Sequence, residues 1–145
     1  MRVHIGTDHA AFELKAYLVE HLRAEGFDVI DHGAHEFDPS DDYPDFIIPT
    51  AEAVLADEGS LGIVLGGSGN GEQMSANKVA GIRAALVWNE STALLARQHN
   101  DANVLVMPGR FIGTEEADMI MTEFFNTSFE GGRHQRRIDK IPVQG

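Results

Sequence analysis

Apolar residues along this chain follow two alternating patterns that predict its fold. Short runs rich in β-branched residues, typical of buried strands, are separated by longer stretches in which apolar residues recur with a helical period. Strands that alternate with helices form a parallel sheet, because each helix carries the chain back to the edge where the next strand starts. The predicted strands are residues 3–7, 27–31, 61–66, 82–87 and 103–107.

The predicted helices lie between these strands. The first places three leucines, spaced four apart, on one face and ends at Gly26, a residue favoured just beyond helix C-termini. Either Ser91 or Asn89 can cap the helix at 91–99, and Gly-Thr-Glu-Glu at 113–116 is a capping pattern for another helix. The remaining predicted helices are residues 46–56 and 114–125, with a short basic helix after the glycines at 131 and 132.

No repeat, low-complexity tract or long linker divides the sequence. We therefore expect one domain over residues 1–145, with a length suited to a single core. The pattern predicts a three-layer, Rossmann-like α/β fold with five parallel strands and a C-terminal helical extension. In such a fold a ligand binds beyond the carboxyl ends of the strands.

The composition narrows the range of partners. The chain has 23 acidic and 11 basic residues, a net charge of −12 and no cysteine, which excludes a disulfide framework and a thiolate site. Four of the basic residues lie between positions 133 and 140. We expect no nucleic-acid partner, because the acidic surface repels phosphate backbones, and a small anion must be bound locally. No apolar run approaches the ~18 residues of a membrane helix, so we expect a cytoplasmic protein with no membrane contact.

The segment Gly-Gly-Ser-Gly-Asn-Gly-Glu at residues 66–72 follows the third predicted strand. Its glycines allow successive backbone N–H groups to point inward and bind an anion at a helix N-terminus. A nucleotide is a poor fit, because there is no G-x-G-x-x-G register and Glu72 occupies the lysine position of a P-loop. A tight turn without a ligand is the alternative interpretation.

Glu72 is a candidate general base. A carboxylate beside an anion-binding loop suits proton transfer between adjacent carbons, because the base removes a proton while fixed donors stabilise the enediolate oxygen. The helix N-terminus should lower the pKa of Glu72, whereas desolvation should raise it. The alternative is a glutamate that only stabilises the first turn of its helix.

Other candidate residues lie at strand and helix ends. Asp8 and His9 follow the first strand, where Asp8 can also be a helix cap. His99 ends a helix; the alternative interpretation is that it only stabilises the helix C-terminus through the helix dipole. Arg133 and Arg137 share one helix face and suit a phosphate, although a solvated basic helix is the alternative. Arg110 follows the fifth strand, and no histidine pair has metal-ligand spacing, so we expect no metal.

Four motifs together resemble the ribose-5-phosphate isomerase B family, which includes subunits of galactose-6-phosphate isomerase. They are Ile-Gly-Thr-Asp-His-Ala-Ala-Phe-Glu-Leu-Lys from residue 5, the loop at 66–73, Ala-Arg-Gln-His-Asn-Asp-Ala-Asn from residue 96, and Gly-Gly-Arg-His-Gln-Arg-Arg from residue 131. The resemblance implies interconversion of ribose 5-phosphate and ribulose 5-phosphate through a cis-enediol, without metal or cofactor. The alternatives are isomerisation of a tetrose, allose or galactose phosphate, or a non-catalytic nucleotide-binding module.

The resemblance also implies roles for individual residues. Many members carry a cysteine base near position 66, and this chain resembles the branch in which a glutamate, here Glu72, is the base. It implies that His99 opens the sugar ring and that Ser68 assists proton movement. It further implies a homodimer, sometimes paired into a tetramer, whose active sites draw residues from both subunits. The implied substrate-binding residues are Asp8, His9, Gly67, Gly69, Asn70, Gly71, Asn100, Arg110, Arg133, His134 and Arg137.

Overall fold

The computed structural model describes residues 1–143, and within them one parallel sheet is covered by helices on both faces. The strand order is β2-β1-β3-β5-β4. The strands are β1 Arg2–Thr7, β2 Asp28–Asp31, β3 Leu61–Gly66, β4 Ala84–Leu86 and β5 Val104–Pro108. The helices are α1 Phe12–Ala24, α2 Pro44–Ala56, α3 Asn70–Asn77, α4 Glu90–Asn100, α5 Thr114–Asn126 and α6 Arg133–Asp139, with a 3₁₀ turn at His9–Ala11 before α1. The predicted fold class is confirmed.

Two apolar layers sandwich the sheet. Successive side chains of a strand point to opposite faces, so Leu105 packs in the layer with α1, α4 and α5, while Val104 and Val106 pack in the layer with α2 and α3. β3 is the central strand and is buried from its second residue to its last. Because both faces are covered, its sequence Leu-Gly-Ile-Val-Leu-Gly is a continuous apolar run without polar alternation.

The predicted strand ends are accurate to a few residues, and local hydrogen bonds explain the differences. β2 begins at Asp28 because the N–H of Phe27 still donates to Leu22 in α1, at 3.1 Å. β4 begins later than predicted because the N–H of Arg83 donates to the side chain of Asn103, at 2.7 Å. Gly26 adopts φ +94°, as expected for the residue that ends α1.

Two side chains cap helical segments, as the sequence predicts for each. Asn89 caps α4, since its side chain accepts from the N–H of Thr92 at 2.9 Å, and Ser91 lies inside the helix. Asp8 caps the 3₁₀ turn that precedes α1 by accepting from the N–H of Ala10 at 3.0 Å. None of the helices between residues 1 and 143 is long and apolar enough to cross a membrane.

Candidate active site

The carboxyl ends of β1, β3 and β5 lie side by side at one edge of the sheet. The segment after β5 is bonded to the glycine-rich loop, since the N–H of Gly109 donates to Gly66 at 2.7 Å and that of Arg110 to Gly67 at 3.0 Å. Residues that end or directly follow three separate strands therefore lie close together at this edge. We call this group the carboxyl-edge cluster; it comprises Asp8, His9, residues 66–72 and Arg110.

The glycines of the loop are required by close packing. A Cβ on Gly69 would lie 2.5 Å from Leu86, and Gly69 adopts φ +85°. A Cβ on Gly71 would lie 2.5 Å from the ring of Tyr43, and one on Gly67 would lie 3.0 Å from the guanidinium of Arg110. The loop is therefore pressed between neighbouring side chains, and a larger residue at these three positions would displace it.

Ser68 and Asn70 lie where the loop enters α3. The N–H of Asn70 donates to the hydroxyl of Ser68 at 3.2 Å, so the hydroxyl is held at the start of the helix. The carbonyl of Gly69 accepts from Gln73 at 2.9 Å, which closes the first turn of α3. The N-terminus of this helix, with its partial positive charge, therefore lies at the carboxyl-edge cluster.

Glu72 is buried and lies directly over Gly66. Only 5% of its surface is exposed, and a Cβ on Gly66 would overlap its carboxyl group. Burial raises the pKa of Glu72 above the ordinary glutamate value; a hydrogen bond to its own backbone opposes this, and the charge of Asp8 adds to it. Of the two opposed expectations from sequence, the pKa of Glu72 follows the one based on desolvation. A carboxylate with a raised pKa is a stronger base once ionised.

His9 is held by a residue that the sequence analysis missed. Its Nδ1 lies 2.6 Å from Oδ1 of Asp41, and its backbone N–H donates to the same oxygen at 3.1 Å. Asp41 is 32 positions away in the polar loop between β2 and α2. No local pattern distinguishes it from the other acidic residues of that loop, so only the tertiary fold identifies it.

The remaining candidates form a second group, which we call the amino-edge cluster; it comprises His99, Asn100, Arg133, His134 and Arg137. The rings of His99 and His134 stack with centroids 4.3 Å apart and an interplanar angle of 14°. The N–H of Glu130 donates to Gln98 at 3.0 Å and so joins the segment before α6 to the end of α4. Burial lowers the pKa of His134, so this ring is neutral at neutral pH.

The last turn of α4 is fixed by Arg97. Its guanidinium bonds the carboxylate of Asp101 at 2.9 Å and the carbonyl of Ala102 at 2.6 Å. Asp101 ends the helix in the left-handed conformation, with φ +46°. His99 and Asn100 are therefore presented from a rigid helix end.

The two clusters lie at opposite edges of the sheet within one chain. α4 precedes β5, so His99 lies near the amino end of that strand, whereas Arg110 follows its carboxyl end. Five strand residues span about 16 Å. The structure thus brings together Glu72, Asp8, His9 and Arg110, and separately joins His99 with His134, but it does not bring the two groups together in one chain.

Two triplets of side chains hold potential ligand atoms within 4.8 Å of one another: His99, Glu130 and His134, and Asp8, His9 and Asp41. In the first, the rings of His99 and His134 lie in nearly parallel planes, 14° apart, so lone pairs in the two planes do not converge on one metal ion. In the second, Nδ1 of His9 is already bonded to Asp41. We assign a metal to neither triplet.

Comparison with known proteins identifies relatives over nearly the whole chain. The model of the ribose/galactose isomerase family matches residues 3–141. Ribose-5-phosphate isomerase B of Mycobacterium leprae is 53% identical over 140 residues, covering 96% of this chain and 86% of the relative. The enzyme of that name from Escherichia coli is 41% identical, covering 97% and 93%.

Solved structures agree with these relatives. The crystal structure of ribose-5-phosphate isomerase B from Mycoplasma genitalium with bound ribulose-5-phosphate superposes with a TM-score of 0.93 at 48% identity, covering 97% of this chain and 93% of that one. A ribose 5-phosphate isomerase from Thermotoga maritima also has a TM-score of 0.93, at 47% identity, covering 97% and 96%.

Proposed function

This chain belongs to the ribose/galactose isomerase family, and from that membership we propose that it interconverts ribose 5-phosphate and ribulose 5-phosphate. One observation of its own site carries the chemistry. The Glu72 carboxyl is buried beside the glycine-rich loop, and burial raises its pKa. A base of raised pKa next to backbone donors is what an aldose–ketose isomerisation requires.

The proposed reaction moves one proton between two adjacent carbons. Glu72 removes the proton from C2 of the open-chain aldose, and the electron pair of that C–H bond forms the enediol double bond. Backbone N–H groups of residues 67–71 stabilise the developing negative charge on oxygen. Ser68 assists proton movement between the two sugar oxygens. Glu72 then returns its proton to C1, which completes the ketose and regenerates the carboxylate.

The proposal includes a homodimer with shared active sites. The carboxyl-edge cluster contains the base, whereas the amino-edge cluster contains the groups proposed for ring opening and phosphate binding, His99 and the pair Arg133 and Arg137. In a single chain, these clusters lie at opposite ends of β5. A second copy related by a two-fold axis places the amino edge of each chain against the carboxyl edge of the other. Two identical sites then result.

The substrate-binding roles follow from position and charge. Asp8 is buried at the end of β1, and Asn100 is exposed at the end of α4, where both suit sugar hydroxyl groups. Arg133 and Arg137 are exposed on one face of α6, and Arg110 lies against Gly67. Their guanidinium groups suit a phosphate. We place the enzyme in the cytoplasm, because a charged sugar phosphate does not cross a bilayer unaided.

Replacing the base tests the proposal. We expect Glu72→Gln to lower kcat by roughly 10²–10⁴-fold with little change in KM, because the amide keeps the shape but accepts no proton. Glu58→Gln, at an exposed glutamate, is the matched control and should retain full turnover. Assays with ribose 5-phosphate and with tetrose, allose and galactose phosphates measure both variants and the substrate preference. Turnover by Glu72→Gln close to the wild type would remove Glu72 from the mechanism.

A further inference from the structure

Asp41 makes two hydrogen bonds to one residue. Oδ1 accepts from the backbone N–H of His9 at 3.1 Å and lies 2.6 Å from its ring nitrogen Nδ1. A carboxylate only accepts hydrogen bonds, so the proton between them resides on Nδ1. The two bonds fix both the backbone and the ring of His9, and Nε2 is left for a ligand.

The burial of the Asp41 carboxylate favours a positive charge on His9. Oδ2 is buried and has no hydrogen-bond partner within residues 1–143, and the side chain as a whole is only 9% exposed. A buried carboxylate that lacks partners is costly unless a nearby cation offsets its charge. The ring of His9 is the group placed to supply that cation.

The other charges around His9 come from three segments. Asp8, at the end of β1, places a carboxylate oxygen 3.9 Å from Nδ1. Arg110, after β5, opposes protonation of the ring by its positive charge. Asp38, in the same loop as Asp41, also interacts with the charge of His9. The His9 side chain is 26% exposed, so the side of the ring that faces away from Asp41 remains open to a ligand.

We propose that Asp41 is a positioning residue of this enzyme, which orients His9 and keeps it an imidazolium that donates Nε2–H to an anionic group of the substrate. The proposal rests on the proposed function, in which that group is the phosphate of a sugar phosphate. His9 and Arg110 are then the cationic groups that this chain contributes at the carboxyl edge. Asp41 itself touches no substrate and acts through His9.

The pH dependence follows from the sign of this effect. The hydrogen bond that His9 donates to Asp41 raises the pKa of His9 more than burial lowers it, and the charge of Asp8 acts in the same direction. His9 is therefore charged below this raised pKa and loses its charge as the pH rises through it. Neutral His9, with its proton held on Nδ1 by Asp41, presents a lone pair at Nε2, which repels a phosphate oxygen. KM should therefore rise on the alkaline side.

The first test titrates His9 in the free enzyme. We expect Asp41→Asn to move the NMR titration of the His9 ring to lower pH, because the amide keeps the acceptor oxygen but not the charge. Asp42→Asn is the matched control: it is the adjacent exposed aspartate, and its substitution should leave the titration unchanged. His9→Gln assigns the signal. A His9 titration in Asp41→Asn identical to the wild type would overturn the proposal.

The second test measures KM and kcat for ribose 5-phosphate as a function of pH. In Asp41→Asn the alkaline rise in KM should begin at lower pH than in the wild type. At pH values between the His9 titrations of the two enzymes, KM of the variant should be roughly tenfold higher than that of the wild type, which is the factor expected for one lost charge-assisted hydrogen bond. A merely structural role would lower activity equally at all pH values, and an unshifted KM profile would overturn the proposal. If Asp41→Asn folds poorly, Asp41→Ser replaces it in this test and should shift the KM profile in the same direction.

A double variant separates this inference from the proposed function. In a His9→Gln background, Asp41→Asn should cause no further change in KM, since its effect passes through His9. An additional loss of equal size would overturn the positioning role. If the wild type did not turn over ribose 5-phosphate, the proposed function would fail, whereas the His9 titration would still show whether Asp41 maintains the imidazolium.

Discussion

At the scale of single residues, Gly66 and Glu72 depend on each other. The carboxyl group of Glu72 occupies the space that any side chain at position 66 would need. A cysteine at position 66 and a glutamate in this conformation therefore exclude each other sterically. The sequence places both residues in one loop, but only the packing shows that the glycine is what allows the carboxylate to be buried there.

This packing predicts the effect of a single methyl group. Gly66→Ala should displace the Glu72 carboxyl, reduce kcat by at least roughly tenfold and destabilise the fold by about 1–3 kcal/mol, as overpacking does. Gly113→Ala is the control for turnover, because its Cβ would meet only Glu116 at 3.9 Å and its φ of −90° suits alanine. Since Gly113 is the N-cap of α5, where alanine is disfavoured, this control should itself lose about 1 kcal/mol of stability. Turnover and urea denaturation of both variants measure the effect. An active Gly66→Ala enzyme would show that the carboxylate works from another position.

At the scale of elements, α4 links the two edges of the sheet. It begins at the Asn89 cap near the carboxyl end of β4 and ends with His99 and Asn100 at the amino end of β5. The sequence predicts both ends of this helix, since Asn89 is a favoured cap and His99 suits a last turn. Because this helix connects two parallel strands, it runs back from the carboxyl edge to the amino edge and so carries His99 away from Glu72.

The cap of α4 should make a measurable contribution to stability. Asn89→Ala removes the acceptor for the N–H of Thr92 and should lower the free energy of unfolding by about 1 kcal/mol. Ser91→Ala, two positions further and exposed, should change it by less than about 0.5 kcal/mol. Urea denaturation at one fixed protein concentration compares the two. Equal losses would show that Asn89 is not the effective cap.

At the scale of the whole molecule, charge and geometry both favour a shared site. The chain carries a net charge of −12, and four of its eleven basic residues lie between positions 133 and 140; two of these, Arg133 and Arg137, belong to the amino-edge cluster. Within residues 1–143, the basic side chains of the carboxyl-edge cluster are His9 and Arg110. The partner's arginines would supply the missing positive charge.

Mixed dimers test this arrangement. Glu72→Gln and His99→Gln chains should each be nearly inactive alone, but a mixed dimer contains one site with both residues intact. Random assortment after joint refolding should then restore about a quarter of wild-type turnover. A mixture of Glu72→Gln with Gly66→Ala is the control, because both changes affect the carboxyl edge and no intact site can form. If the first mixture stayed inactive, each site would have to lie within one chain.

Periodicity and spacing alone predict the fold class, the order of the elements and the candidate residues of the site. Strand and helix periods are local patterns, and the glycine-rich loop and Glu72 are adjacent in the chain. Two further points come from the tertiary structure: burial raises the pKa of Glu72, and Asp41 holds His9. Each depends on contacts between segments far apart in sequence, which local periodicity and spacing do not encode.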